Sequence, residues 1–215
     1  MSTARARPTP PEPSWWLRVL LVLQAPTAVF AALRDDSPEE AGERQEPVLG
    51  ITLLAGMALA LASTQAGRLL NDPEYDPLLI VVWVFIAGGV VGAINLWLGG
   101  WVLYLALRGL DGLGSYRRAR HLLAFAATPL TLMLLLWPVR LALYGGDSFR
   151  RGGEDAGTGA RAFEVLEVGF GLWALALLFL GVRTVHGWSW GRSAAAFALA
   201  AAAAAALVVV FSLFG

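Results

Sequence analysis

The stretch LLIVVWVFIAGGVVGAINLWLGGWVLYLAL, residues 78–107, is an apolar run of 30 residues without a charged side chain. Lipid hydrocarbon offers backbone amides no partner, so a segment that crosses it is a helix, and a core about 30 Å thick requires about 20 apolar residues. The stretch exceeds this length, so the helix must tilt, bend or protrude. It predicts a membrane-spanning helix.

Four further apolar stretches of similar character flank this one, separated by arginine-bearing loops: Val48–Leu70, Leu122–Leu143, Ala162–Val185 and Ala194–Leu213. The 215-residue chain is 57% hydrophobic with a formal net charge of zero, which excludes a disordered chain and a basic nucleic-acid-binding protein. Cysteine is absent, which excludes disulfides and thiolate chemistry. We therefore predict an all-α fold, a polytopic membrane bundle of five transmembrane helices.

The residues before the first span predict a different organisation. Residues 1–13 are polar and hold four prolines, which is typical of a disordered tail. The apolar run Trp15–Leu23 is half a bilayer long and opens with two tryptophans, which favours an amphipathic helix lying flat at the interface. A second short helix is expected at Thr27–Arg34, and Ser37 has the position of a helix cap before Pro38. The predicted divisions are a tail at 1–13, interfacial helices at 14–46 and a five-span domain at 47–215.

Arginine positions predict the orientation, because positive residues near span ends stay on the cytoplasmic side. One side collects the arginines before the first span and those in the second and fourth loops: Arg5, Arg7, Arg18, Arg34, Arg44, Arg108, Arg117, Arg118, Arg120, Arg183 and Arg192. On the other side, acidic residues dilute the arginines. We expect a multi-pass protein of the cell inner (plasma) membrane, with the N-terminus cytoplasmic and the C-terminus outside.

Two short motifs match catalytic signatures but lack their context. Glu39-Glu40-x-x-x-Arg44 is similar to a paired-glutamate protease motif, yet it precedes the first span, and a capped helix start explains both glutamates. Residues 187–191, GWSWG, fit a nucleophile pattern, yet they join two membrane helices instead of a strand and a helix. We predict no catalytic residues, no cofactor, no metal and no nucleic-acid partner.

Polar groups inside the hydrocarbon are costly, so each one is a functional candidate. Arg140 lies near the outer end of the third span, while Glu164 and Glu167 lie at matching depth in the fourth. An ion pair there would either line a substrate or proton path or fasten two helices. Asn95 lies in the second span, where its amide can bond across to polar side chains of other spans, namely Gln65, Thr128 or Thr131.

Further residues are candidates for helix packing or for binding a partner. Gly88, Gly89 and Gly92 place small residues at four-residue spacing, the pattern that lets two membrane helices approach closely. Pro129 is expected to kink the third span. The loop between the second and third spans is a candidate partner-binding surface, with side chains Tyr116, Arg117, Arg118, Arg120 and His121.

Three segments carry a family resemblance: PTAVFAALRDD at 26–36, GGWVLYLALRGLDGLGSYRRARHLLAFAATPLTL at 99–132 and HGWSWGRSAAAFAL at 186–199. Together they resemble the YIP family, the Ypt/Rab-interacting membrane proteins. The resemblance implies a five-span fold with a cytosolic N-terminus. Eukaryotic members are associated with Rab GTPases and early secretory traffic. In this chain every Lys or Arg position is arginine and alanine is abundant, a composition similar to that of a bacterial homologue.

Two functions remain open at this point. The first is a membrane scaffold or adaptor, without catalysis, that binds lipids, another membrane protein or a second copy of itself through small-residue helix faces and loops. The alternative is a small-molecule or ion transporter that uses Arg140, Glu164, Glu167 and Asn95. The two differ in whether these polar groups face a water-filled cavity or a closed helix contact.

Overall fold

A computed structural model describes residues 14–63, 66, 71, 77–112, 114–145 and 157–214. The tail predicted at 1–13 lies outside the described residues. Within them every regular element is helical, and the elements in chain order are α1 Trp15–Leu21, α2 Pro26–Ala32, α3 Pro38–Leu61, α4 Pro77–Ile94, a π-helical segment Asn95–Gly99, α5 Gly100–Arg108, α6 Tyr116–Ala126, α7 Thr128–Leu132, a 3-10 turn Met133–Leu135, α8 Leu136–Tyr144, α9 Thr158–His186 and α10 Trp190–Phe214.

Four of the five predicted spans are confirmed as helices long and apolar enough to cross a membrane: Leu78–Arg108, Tyr116–Tyr144, Thr158–His186 and Trp190–Leu207. The side chains on their outer faces are large and apolar. Leu78, Val165 and Leu172, for example, are each more than 60% exposed. A surface of this kind is stable against hydrocarbon and unstable against water.

The remaining predicted span, Val48–Leu70, is the first in chain order and is not among these four. Helix α3 begins at Pro38 and runs through Pro47, so its first turns are polar and only Val48–Leu61 is apolar. That part has 14 residues, fewer than the roughly 20 that a crossing requires. The remainder of the predicted span lies largely outside the described residues.

Glycines set the contact between α3 and α4. A β-carbon on Gly56 would come within 2.6 Å of the Gly92 amide nitrogen, and one on Gly88 within 2.7 Å of the Met57 α-carbon. The two backbones therefore touch with no room for side chains between them, as in small-residue contacts between membrane helices. Gly89 is on a looser face, where the nearest atom would be Leu53 Cδ1 at 3.9 Å.

The second and third spans are irregular. The π segment Asn95–Gly99 widens the second span, and the third breaks at Ala127 before α7 and again at the 3-10 turn. Pro129, which is fully buried, falls in the first turn of α7, where its missing amide hydrogen costs no helical bond. The α-helix is interrupted at Ala127, two residues before Pro129, and the kink expected from Pro129 stays a prediction.

One end of the bundle is covered by its own N-terminal segment, and we call it the capped end. It comprises α1, α2 and residues 33–47, together with the loop after α5 and the last turns of α9. Helix α2 packs against α9, and α1 packs against α3. A buried apolar core lies beneath them, formed by Trp15, Val22, Phe30, Leu33, Leu122, Phe125 and Val182.

Candidate functional site

Asp36 is the centre of a group of charges at the capped end, which we call the Asp36 cluster: Asp36, Arg44, Ser115, Arg117 and Arg118. Arg117 donates from Nε to Asp36 Oδ1 at 3.2 Å and from Nη2 to the Asp36 carbonyl oxygen at 2.6 Å. The Ser115 hydroxyl donates to Asp36 Oδ2. Arg118 Nη2 lies 3.9 Å from Oδ2, and Arg44 Nη2 lies 3.8 Å from Oδ1. One carboxylate thus faces three guanidinium groups.

The local sequence fixes the position of this carboxylate. Asp36 precedes the start of α3, where Ser37 caps the helix by accepting a bond from the Glu40 amide at 3.4 Å. Asp35 Oδ1 accepts a bond from the Ser37 amide at 2.9 Å, which closes a tight turn. On the other side, Ser115 caps α6 by accepting from the Arg118 amide at 3.0 Å. The cluster therefore joins two capped helix starts.

Arg44 is the most buried charge of the cluster, with only 1% of its side chain exposed. Burial lowers the pKa of Arg44, and the nearby Asp36 and Glu40 carboxylates oppose that effect. Its Nε and Nη1 have no hydrogen-bond partner in the described part of the chain, as is also true of both ring nitrogens of the buried His121. The buried guanidinium consequently depends on Asp36 and on the Trp15 ring, whose centroid is 5.1 Å away.

Trp15 connects α1 to the cluster. Its Nε1 donates to Glu40 Oε2 at 3.1 Å, and its ring centroid lies 5.5 Å from that of Phe125. The Arg18 guanidinium covers the ring at 4.3 Å. Trp15 is 4% exposed, whereas the neighbouring Trp16 is 49% exposed. The two tryptophans thus have different environments, one inside the cap and one on its surface.

Backbone carbonyls near helix ends hold the rest of the cap together. The Arg34 guanidinium donates to the carbonyl of Thr184 near the end of α9, and Arg118 Nη2 donates to the Arg34 carbonyl at 2.9 Å. Arg192 at the start of α10 donates to the Leu110 carbonyl in the loop after α5. These bonds place the N-terminal segment and both arginine-bearing loops at one end of the bundle.

The side chains that the sequence marks as a partner-binding loop have mostly internal contacts. Arg117, Arg118 and His121 face the cluster or the core, as described above. Tyr116 donates to the Trp97 carbonyl oxygen at 2.7 Å, and the Arg120 guanidinium lies over the Tyr116 ring at 4.9 Å. This part of α6 therefore packs against the π segment and the N-terminal segment.

The charged groups near the other end of the bundle come together only in part. The Arg140 guanidinium lies over the rings of Trp137 and Phe163, at 5.4 and 5.5 Å from their centroids. It interacts electrostatically with Glu167, which is half-buried, while Glu164 is exposed. The ion pair of Arg140 with Glu164 or Glu167 stays a prediction.

Asn95 bonds within its own helix. Its Nδ2 donates to the Val91 carbonyl oxygen at 2.9 Å. The Thr128 hydroxyl donates to the Phe125 carbonyl and the Thr131 hydroxyl to the Thr128 carbonyl, both at 2.8 Å. Gln65 lies outside the described residues. Short polar side chains in a helix often reach the carbonyl one turn back, as Asn95 does here, and its bond to another span stays a prediction.

Within the described residues, three open cavities between the spans share the side chain of Leu123. Two of them have volumes of about 430 Å³ and the third about 110 Å³. Apart from Asn95 and Thr52, their walls are aliphatic side chains, Phe197 and glycines. Such walls hold hydrocarbon and give no stepwise path for an ion.

Asp36 and Trp15 are the residues that sequence reasoning missed. Asp36 lies within the segment that carries the family resemblance, and it follows a short apolar helix on the same side as Arg117 and Arg118. A search for an acidic residue opposite that arginine pair could have found it. The described residues hold no group of three or more His, Asp or Glu side chains placed to bind a metal.

Four apolar spans and a polar cap define a multi-pass membrane protein. Residues 16–213, nearly the whole chain, match the Yip1 domain, and the protein belongs to the Yip1 family. The resemblance given by the sequence is thus confirmed. Members of this family are non-catalytic membrane-trafficking factors, and the expectation that the chain is not an enzyme holds. No curated protein and no solved structure matches the chain.

Proposed function

We propose that this protein is a non-enzymatic membrane scaffold or adaptor of the Yip1 type. It presents the capped end and the outer faces of its spans to another membrane protein, to lipids or to a second copy of itself. The observation that carries the proposal is the bonding of the capped end into one unit by the Asp36 cluster, with no catalytic group involved. A preorganised surface of this kind binds a partner without having to be ordered first.

We further propose that α3 is a fifth span, with Val48–Leu61 as its described part. Helix α3 starts at the capped end and packs along α4, which supports a crossing in the direction opposite to α4. We place the protein in the inner (plasma) membrane of a cell. The arginines at the capped end support an orientation in which this end faces the cytoplasm. Five crossings then put the C-terminus outside.

The transporter alternative receives less support. Arg140 is surrounded by Trp137 and Phe163, and Asn95 bonds to its own helix. The cavities beside Asn95 have apolar walls. A substrate path needs polar groups that stay available to the substrate, whereas the Arg140 guanidinium is covered by two aromatic rings and the Asn95 amide is bonded within its own helix.

Site-specific photocrosslinking in native membranes tests the adaptor. A photoreactive amino acid is placed at Leu17 or Trp190, which are 56% and 59% exposed at the capped end, and at Leu143, which is 64% exposed near the other end. We expect discrete protein adducts from Leu17 and Trp190 and only lipid adducts from Leu143. Asp36→Asn should remove the protein adducts, because it releases the cap.

Glu43→Gln is the matched control, since Glu43 is an exposed carboxylate on α3, the helix that Asp36 precedes. It should leave the adducts unchanged. In parallel, proteoliposomes are assayed for ion and small-molecule flux. Flux that is lost in Glu167→Gln, together with an absence of protein adducts at all three positions, would overturn the adaptor in favour of the transporter.

A further inference from the structure

A small cleft at the capped end combines cationic side chains with a position at the ends of three spans. Its polar lining comes from Tyr104, Arg108, Ser115, Arg118 and His186, above an apolar floor that includes Leu122. Arg108 is the last residue of one span, His186 is the last residue of another, and Tyr116, next to Ser115, is the first residue of a third. The cleft is therefore at the depth where lipid headgroups meet the bundle.

The charged side chains that line the cleft are basic. No aspartate or glutamate is among its described lining residues, and the Asp36 carboxylate reaches the cleft only from behind, through the Ser115 hydroxyl and at 3.9 Å from Arg118 Nη2. Arg108 is exposed and donates from Nη1 to the Tyr104 hydroxyl at 3.0 Å, and within the described residues it forms no ion pair with a carboxylate. Arg118 and His186 approach from the other side, with Nη1 and Nε2 each 3.8 Å from the point where a β-carbon on Gly114 would lie.

The shape of the cleft limits what it can take. Its volume of about 10 Å³ is space for one water-sized group, and the absence of a side chain at Gly114 keeps that space open. A single phosphoryl oxygen fits there, whereas a sugar ring or an acyl chain does not. Arginine is the side chain that best matches phosphate oxygens.

From this combination we propose that the cleft binds the phosphate of an anionic phospholipid headgroup in the leaflet at the capped end. One phosphate oxygen enters between Arg108, Arg118 and His186, and the acyl chains follow the outer face of the second span, where Trp97 and Trp101 are 48% and 46% exposed. Basic pockets between membrane helices at the headgroup level are typical sites for such lipids. The proposal deepens the adaptor function, which includes lipids, and rests on it only for the place of the capped end at the membrane surface; it does not require a protein partner.

Native mass spectrometry of the full chain in detergent tests this site with three probes. These are a short-chain phosphatidylglycerol, a phosphatidylcholine with the same chains, and inorganic phosphate. We expect the anionic lipid to bind about tenfold more tightly than the zwitterionic one, and inorganic phosphate not to compete at equal concentration. Arg108→Gln should weaken the anionic lipid about fivefold.

Gly114→Leu is a second variant with the same expected loss, because its side chain fills the cleft without removing a charge. Arg161→Gln is the control, since Arg161 is an exposed arginine in the first turn of α9, at the other end of that helix. It should bind the anionic lipid as the wild type does. If one variant does not fold, the other decides.

Three results would overturn the proposal. Equal affinity for the two lipids would mean that the cleft does not recognise the charge of the headgroup. Full competition by inorganic phosphate would mean that the site takes a free anion. Wild-type lipid binding in folded Arg108→Gln or Gly114→Leu would mean that the lipid binds elsewhere on the spans.

Discussion

The guanidinium of Arg117 holds both the side chain and the main chain of Asp36, a residue 81 positions earlier, with bonds of 3.2 Å to Oδ1 and 2.6 Å to the carbonyl oxygen. This pair fastens the N-terminal segment to the start of α6. Because Arg44 and Arg118 share the same carboxylate, the attachment of the cap and the neutralisation of a buried charge depend on one residue.

The first prediction concerns that residue. Asp36→Asn removes the carboxylate that lies 3.8 Å from the buried Arg44 guanidinium and leaves it only the weaker attraction of Glu40 and Asp35. Breaking a buried pair in this way costs about 3 kcal/mol of unfolding free energy. Equilibrium unfolding in detergent micelles measures the loss. Glu43→Gln removes the same charge from an exposed position on α3, the helix that follows Asp36, and should stay within about 0.5 kcal/mol of the wild type. Equal stability of the two variants would contradict the central role of Asp36.

The second prediction concerns Asp35 and pH. The Ser37 amide donates to the Asp35 carboxylate, and this bond, the nearby Ser37 hydroxyl and smaller effects of Arg44 and Arg118 lower the pKa of Asp35 below the ordinary value of 3.8. A carboxylate whose pKa is lower in the folded state adds stability above its unfolded pKa, and this stability is lost as the pH falls below that value. Asp35→Asn should therefore reduce stability slightly at neutral pH and make the decline below about pH 4 shallower.

Unfolding free energies measured from pH 7 down to pH 3 test this prediction. The carboxylate is exposed, so solvent screens its interactions and the effect is small. Asp35→Ser is a useful companion, because its hydroxyl keeps an acceptor for the Ser37 amide without an ionisable group. A steeper acid decline in Asp35→Asn than in the wild type would show that the sign is wrong.

The third prediction compares the buried Trp15 with an exposed residue of the same helix, Leu20. Trp15 is buried against Phe125, Arg18 and Glu40, so Trp15→Ala should cost about 3 kcal/mol or more. Leu20 lies on the same helix but is 62% exposed, and Leu20→Ala should cost less than about 1 kcal/mol of unfolding free energy. Hydrogen exchange of residues 14–33 is expected to rise only in Trp15→Ala. Similar exchange in both variants would mean that α1 is not held by Trp15.

Apolar length predicted most of the fold, because a bilayer imposes one requirement on every crossing segment. Residues 78–107 and three other stretches became spans for this reason. The arginine distribution also predicted which segments share an end, as the bonds from Arg34 and Arg192 show. The first span is the exception, because α3 divides its length between the polar cap and the apolar part after Pro47.

The contacts within the capped end were not predicted from the sequence. Arg117 and Arg118 form part of an exposed, partner-binding loop in the sequence-based hypothesis, yet their guanidinium groups bind Asp36 and the Arg34 carbonyl. Such contacts join residues about 80 positions apart, and no local pattern encodes a pairing over that separation. The π segment at Asn95–Gly99 was also not predicted, and its Trp97 carbonyl accepts a bond from the Tyr116 hydroxyl, a contact between two spans that no local pattern indicates.

The last prediction uses two glycines three residues apart on α4. A β-carbon on Gly92 would collide with the Thr52 carbonyl group and approach its carbon to 3.0 Å, whereas one on Gly89 would meet nothing closer than Leu53 Cδ1 at 3.9 Å. Gly92→Ala must push α3 and α4 apart and should cost about 2 kcal/mol or more of unfolding free energy, as overpacking does. Gly89→Ala should be neutral or stabilising by up to about 1 kcal/mol, because alanine is the better helix former. Unfolding of both variants in the same micelles compares them directly, and a Gly92→Ala protein as stable as Gly89→Ala would show that α3 and α4 are not in backbone contact there.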